Sequence, residues 1–174
     1  GKANYILGEK DRIFVSGYFG KDVLSIAEFF AMNWGNQTIT ARWNHLFTEK
    51  LFSNVSLIYS NYSYQLGLPE GPSAFEWNSN IINYSLKNDY TYYAGTKNTI
   101  KFGFQSTLIN IKPAESVPLE GNEAGIEVRL PSKYALEHGI YASNEQKIGA
   151  NLTIEYGLRW SLFQNIGPDS VYQF

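Results

Sequence analysis

The residues able to do chemistry are few and scattered. His45 and His138 are the two imidazoles, far apart and without metal-ligand spacing around them. Zero cysteines remove a thiol nucleophile, a disulfide framework and a cysteine-ligated metal centre. No glycine-rich phosphate loop, G-x-S-x-G elbow or H-E-x-x-H helix occurs. No catalytic, cofactor-binding or metal-binding residue is singled out, no cofactor is implied, and an enzyme is not expected. The ligand-contacting residues stay unassigned.

Charges are the next candidates. Arg42, Lys87, Asp89, Lys101, Glu145, Lys147, Glu155 and Arg159 fall at alternate, polar positions. They would guide a solute or grip an internal domain, or form a solvated cross-strand ladder contributing about 0.2–1 kcal/mol per pair. Glu115, Glu120, Glu123 and Glu127, in the proline-containing stretch 113–137, would bind a cation or stand in a solvated loop. N-x-S/T sequons at Asn36, Asn54, Asn61, Asn83 and Asn151 read as filler for a polar strand face rather than glycosylation sites.

The elements that carry these residues are strands. From Leu152, the residues Leu152, Ile154, Tyr156, Leu158, Trp160 and Leu162 fall on one face, and Thr153, Glu155, Gly157, Arg159 and Ser161 on the other. Ile39, Ala41, Trp43, His45 and Phe47 oppose Thr38, Thr40, Arg42, Asn44 and Leu46 in the same way. The pattern returns at Ile100, Phe102 and Phe104, and at Tyr84, Leu86, Tyr90 and Tyr92, where Asn88 interrupts the apolar side. The spacing predicts strands at about 2–7, 11–24, 34–47, 51–66, 76–93, 99–112, 138–148 and 151–164. Several exceed the usual 5–6 residues and match the length of a transmembrane strand.

Composition agrees. Of 174 residues 16% are aromatic and 17% charged, and the formal net charge of −2 argues against a nucleic-acid partner. No run approaches the roughly 20 apolar residues of a membrane-spanning helix, and residues 1–10 hold no signal-peptide core. Trp34, Phe47, Phe52, Tyr62, Tyr64, Trp77, Tyr90, Tyr92, Tyr93 and Trp160 gather near strand ends, as in two interfacial aromatic girdles.

Connections alternate. Short ones lie at 8–11, 48–50, 94–98 and 149–150, and longer ones at about 25–33, 67–75 and 113–137, the last with a short outer strand around Ile126, Val128 and Leu130. An up-and-down meander with one trimmed rim has this asymmetry. If the trimmed rim is periplasmic, both termini lie on the extracellular side, which suits a section of a larger barrel.

The phrases G-E-K-D-R-I-F-V-S-G-Y-F-G (8–20), Y-S-L-K-N-D-Y-T-Y-Y (84–93), T-K-N-T-I-K-F-G (96–103), H-G-I-Y-A-S-N-E-Q-K-I (138–148) and L-T-I-E-Y-G-L-R-W (152–160) resemble the middle of the barrel of TonB-dependent receptors. The resemblance implies an all-β antiparallel meander of about eight strands, part of a 22-stranded transmembrane barrel. Residues 1–174 would then be a partial barrel domain without its plug, in the outer membrane of a Gram-negative bacterium. It further implies import of a nutrient ligand (siderophore, cobalamin, glycan or peptide). The partners would be the lipid bilayer, the rest of the barrel and plug, and the TonB complex reached through that plug. Gln146 departs from the family, which often carries a lipid-facing aromatic there.

Two other readings remain open at this level. One is a small closed eight-stranded outer-membrane barrel with a structural or adhesive role, for which the terminal V-Y-Q-F would be an assembly signal. The other is a secreted soluble β-sandwich that binds carbohydrate through exposed Tyr and Trp.

Overall fold

The computed structural model describes residues 1–26, 30–68, 74–119, 125 and 127–167. Nine strands follow in chain order: β1 (Lys2–Ile6), β2 (Asp11–Ile26), β3 (Phe30–Thr48), β4 (Leu51–Leu68), β5 (Phe75–Tyr93), β6 (Asn98–Pro118), β7 (Val128–Arg129), β8 (Lys133–Ile148) and β9 (Leu152–Ile166). They form one antiparallel sheet in the order β1-β2-β3-β4-β5-β6-β8-β9, with the two-residue β7 beside the end of β6. It is an all-β antiparallel meander. The sheet is open: β1 and β9 are its two edges and do not pair with each other. That removes the closed eight-stranded reading.

Turn chemistry fits the trimmed rim. The Thr48 hydroxyl oxygen accepts from the backbone N–H of Lys50 (3.2 Å) and Leu51 (3.1 Å), closing the β3–β4 turn. Gly149, between β8 and β9, has φ 71°, the left-handed conformation that glycine adopts without steric cost.

One cross-strand row reads Tyr5, Ile13, Trp43, Val55, Asn88, Phe104, Ile140, Trp160. The side carrying Leu158 and Trp160 is called the outer face here. Every strand presents its apolar alternates to that same face, because the register brings the phases together. Leu57 faces Leu86, Tyr84 faces Leu108, and Leu108 faces Leu136. A one-residue slip anywhere would have turned a strand's apolar set to the wrong side.

Among the described residues no second layer covers this face. Among the described residues Ala74 and Ala135 are the buried apolar ones, and no large side chain is fully buried. A sandwich interdigitates large side chains between two sheets, so the soluble-sandwich reading fails. Leu158, on β9, is 86% exposed.

The apolar run from Leu152 to Leu162 covers about 33 Å along the strand at about 3.3 Å per residue. Tilted by about 45° it spans about 23 Å, close to the apolar band of about 25 Å on membrane barrels. The trimmed rim also steps down across the sheet. Ile13, at the start of the apolar run of β2, shares its row with Trp160, eight residues beyond Leu152 at the start of that of β9. Such a stagger accompanies tilted strands.

Strands extend beyond the sequence-based bounds at the other end. β3 begins at Phe30, β6 continues to Pro118 and β8 begins at Lys133, so the connections there are shorter than expected. Residues 27–29, 69–73, 120–124, 126 and 168–174 lie outside the described residues, and with them Glu120, Glu123, Ile126 and V-Y-Q-F.

Candidate ligand-facing wall

Following β4 outward from the trimmed rim shows how the wall is built. On its outer face come Val55, Leu57 and Tyr59, then Asn61, Ser63 and Gln65. On its inner face come Asn54, Ser56, Ile58 and Ser60, mostly polar, then Tyr62, Tyr64 and Leu66. The apolar side changes face near Tyr59–Asn61 with no shift in the β3–β4 register there. Neighbouring strands change together. Trp34 pairs with Asp22 and Tyr64, Met32 with Leu24 and Leu66, and Leu66 with Trp77, all on the inner face.

The inner wall is therefore graded. At the long-connection end it presents Trp34, Tyr62, Tyr64, Leu66 and Trp77, half-buried or exposed. The middle carries hydroxyls, with Ser85 Oγ and Thr107 Oγ1 2.9 Å apart. Near the trimmed rim it is charged. Arg42 Nε donates to Ser56 Oγ (3.3 Å), Asn44 donates to Asn54, and Lys87 Nζ lies 3.1 Å from Asp89 Oδ2. Lys101 Nζ reaches across β8 to Glu155 Oε1 at 3.5 Å. All eight charges singled out from the sequence stand on this face.

Two glycines make room for part of that network. The Tyr141 ring lies between Arg159 (Cζ 5.8 Å from its centroid) and Lys87 (Nζ at 6.0 Å), within cation–π reach. A Cβ on Gly103 would sit 2.7 Å from the Tyr141 hydroxyl oxygen, and one on Gly139 would sit 2.6 Å from Arg159 Nη2. Absent side chains at 103 and 139 thus let the ring and the guanidinium lie flat on the sheet.

The aromatic girdles need correcting. Trp34, Phe52, Tyr62, Tyr64, Trp77 and Tyr93 stand on the inner face, and Trp160 sits inside the apolar band. Nearness to a strand end does not fix the side on which a residue points; parity within the register does. The outer aromatics at the trimmed rim are a chain of ring contacts, Trp43–His45–Phe47–Tyr90–Phe102, with centroids 4.5–6.4 Å apart. At the other margin stand Phe19, Tyr59, Tyr84 and Tyr134, with the Tyr59 and Tyr84 rings 5.3 Å apart.

His45 lies on the outer face near its turn, as its position suggested. Its partner did not show in the sequence. His45 Nδ1 is 2.7 Å from Asp11 Oδ1, which also accepts from Trp43 Nε1 at 2.8 Å. His138 is on the same face, opposite Ser106 and Leu162. Asn88 donates to the Tyr90 hydroxyl (2.9 Å), and the Tyr156 hydroxyl donates to Gln146 (3.4 Å), so these outer-face amides are tied to aromatic oxygens.

In the long connection, Arg129 pairs with Glu115 (3.1 Å) and Glu127. The hydrogen bond Arg129 donates to Glu127, then the charge of Glu115, hold its guanidinium still more firmly protonated. Glu115 and Glu127 are thus engaged with a cation of the chain itself. Among the described residues no group of His, Asp and Glu is arranged to hold a metal ion.

With this wall in view, the comparison with solved structures is decisive for the fold. The chain superposes on an outer-membrane transporter.

That structure is the outer membrane transporter YddB from Escherichia coli, matched with a TM-score of 0.65 over 93% of this chain at 9% identity. The chain spans 26% of the length of that protein. No family model and no curated protein sequence matches.

Proposed function

We propose that this chain is a section of the barrel wall of an outer-membrane receptor of the TonB-dependent kind, which imports a nutrient ligand. The observation that carries the reading is the register-matched outer face: apolar across all the long strands, uncovered by any second layer among the described residues, and of bilayer height. Hydrocarbon is the environment that rewards such a face, provided the backbone is paired within the protein. The inner face then bounds the lumen. Its aromatic upper section meets ligand at the extracellular mouth, and its charged lower section meets the plug. Transport, not catalysis, is the activity proposed, with the bilayer, the remaining barrel, the plug and the TonB complex as partners.

The four tryptophans test the geometry. In single-tryptophan versions of the full-length protein in vesicles, brominated lipid should quench Trp43 and Trp160 strongly and spare Trp34 and Trp77. Equal quenching of all four would refute a lipid-facing outer side. Import is tested separately: uptake should stop in cells lacking TonB while surface binding persists. Uptake that continues there removes the TonB-dependent assignment and leaves the barrel.

A further inference from the structure

Above the level at which the two faces exchange character, the inner wall carries three successive rows of one kind. The lowest sets Asp22 opposite Trp34, and Trp34 opposite Tyr64. The next sets Leu24 opposite Met32, followed by Leu66 and Trp77. In the highest, Ile26 stands opposite Phe30, and Leu68 opposite Phe75. Leu24 is 44% exposed and Ile26 59%, so the apolar surface here is open. Asp22 is exposed as well and has no ion-pair partner among the described residues. Lys133 stands one row lower and across the sheet, on β8. A lone carboxylate thus ends an uncharged, greasy track.

We propose that this track takes the N-terminal segment of an apolar oligopeptide, with its α-ammonium at Asp22. The proposal rests on the receptor reading above and names the class of its ligand. Charge complementarity places the amine: an ammonium pairs with the carboxylate and is attracted to the ring faces of Trp34 and Tyr64. Geometry places the side chains. An extended peptide lying along the strands repeats its same-side groups every two residues, about 6.6 Å, which is also the spacing of the rows. Alternate side chains then fall on the Met32, Leu66 and Trp77 row and on the Phe30 and Phe75 row. Other ligand classes match less well. Aliphatic side chains give a glycan no hydrogen bonds, and Asp22 repels an anionic chelate. Because the Asp22 row lies deepest of the three, the peptide enters amine first.

The experiment is isothermal titration calorimetry on the full-length protein in detergent. Its probes are a hexapeptide of alternating leucine and glutamine, the same peptide N-acetylated, and maltohexaose. The free-amine peptide should bind about tenfold more tightly than the acetylated one, and both more tightly than maltohexaose. Asp22→Asn should erase the tenfold difference, and Leu24→Gln/Ile26→Gln should weaken both peptides. Glu49→Gln, in a turn of the trimmed rim, should change neither result. No peptide binding by the unaltered protein overturns the proposal, as does indifference to acetylation or a preference for maltohexaose. Undiminished discrimination in Asp22→Asn, or undiminished affinity in Leu24→Gln/Ile26→Gln, overturns it too. If Asp22→Asn does not fold, Asp22→Ser takes its place with the same criterion. Failure of the unaltered protein to reside in the outer membrane defeats the barrel reading itself; an inserted protein indifferent to the peptide defeats only this site.

Discussion

The lower and upper halves of β4 make an instructive pair. Both are hydrogen-bonded to β3 and β5, and no register shift falls where the two halves meet. In the lower half Leu57 points outward and Ser56 inward; in the upper half Ser63 points outward and Tyr64 inward. The backbone ladder is indifferent to which side is greasy. On the proposed reading what differs is the surroundings: hydrocarbon outside the lower half, and water or headgroups outside the upper. A strand can thus continue through a change of solvent while its pattern inverts.

The sharpest way to break that comparison is to place the same charge on the same face of the two halves. Leu57→Arg should destabilise the bilayer-inserted protein by about 2–4 kcal/mol, and Ser63→Arg by no more than about 0.5 kcal/mol. Urea unfolding in vesicles measures both. Equal costs would mean that the face does not change environment at Asn61.

A smaller effect separates two glycines. A Cβ on Gly103 would approach the Asn88 carbonyl oxygen to 2.3 Å, whereas on Gly17 it meets nothing closer than the Thr38 carbonyl oxygen at 3.8 Å. Gly103→Ala should cost about 1–3 kcal/mol through overpacking. Gly17→Ala should be neutral or stabilising by about 0.5–1 kcal/mol, since it restricts the unfolded chain. The same unfolding midpoints decide it.

At the trimmed rim, Asp11→Ala removes the acceptor shared by Trp43 and His45. The expected loss is about 1 kcal/mol, with a change in Trp43 emission as a local report. The least effect belongs to the inner face: Lys101→Met, which unpairs Glu155, should cost under about 1 kcal/mol and nothing at high salt. A large, salt-independent loss there would mean that the inner wall is dry.

The same environmental change explains what was legible in the sequence. Within the band, alternation fixed all eight long or edge strands, and the charged residues fell on the correct side. Beyond the band the alternation weakens or changes phase, so the pattern of the continuation of β6 through 113–118 and of the start of β8 at Lys133 is that of a loop, although the backbone remains paired. The girdle residues were misassigned for a related reason: Tyr62, Tyr64 and Trp77 belong to the inverted phase. Asp11 was invisible as the partner of His45 because the contact joins positions 34 apart in sequence, and only the β2–β3 register brings them level.

The free margins of the sheet carry a last consequence. All of β9 is exposed along Leu152–Ile166, and β1 shields only residues 12–16 of β2, so both borders offer unclaimed N–H and C=O groups. Each would cost several kcal/mol if left dry in oil, and in water long bare borders invite self-association. Such a wall is one stave of a cask. In the barrel proposed above it becomes watertight when neighbouring staves close against it, so entry into the bilayer and completion of the ring would be a single coupled event.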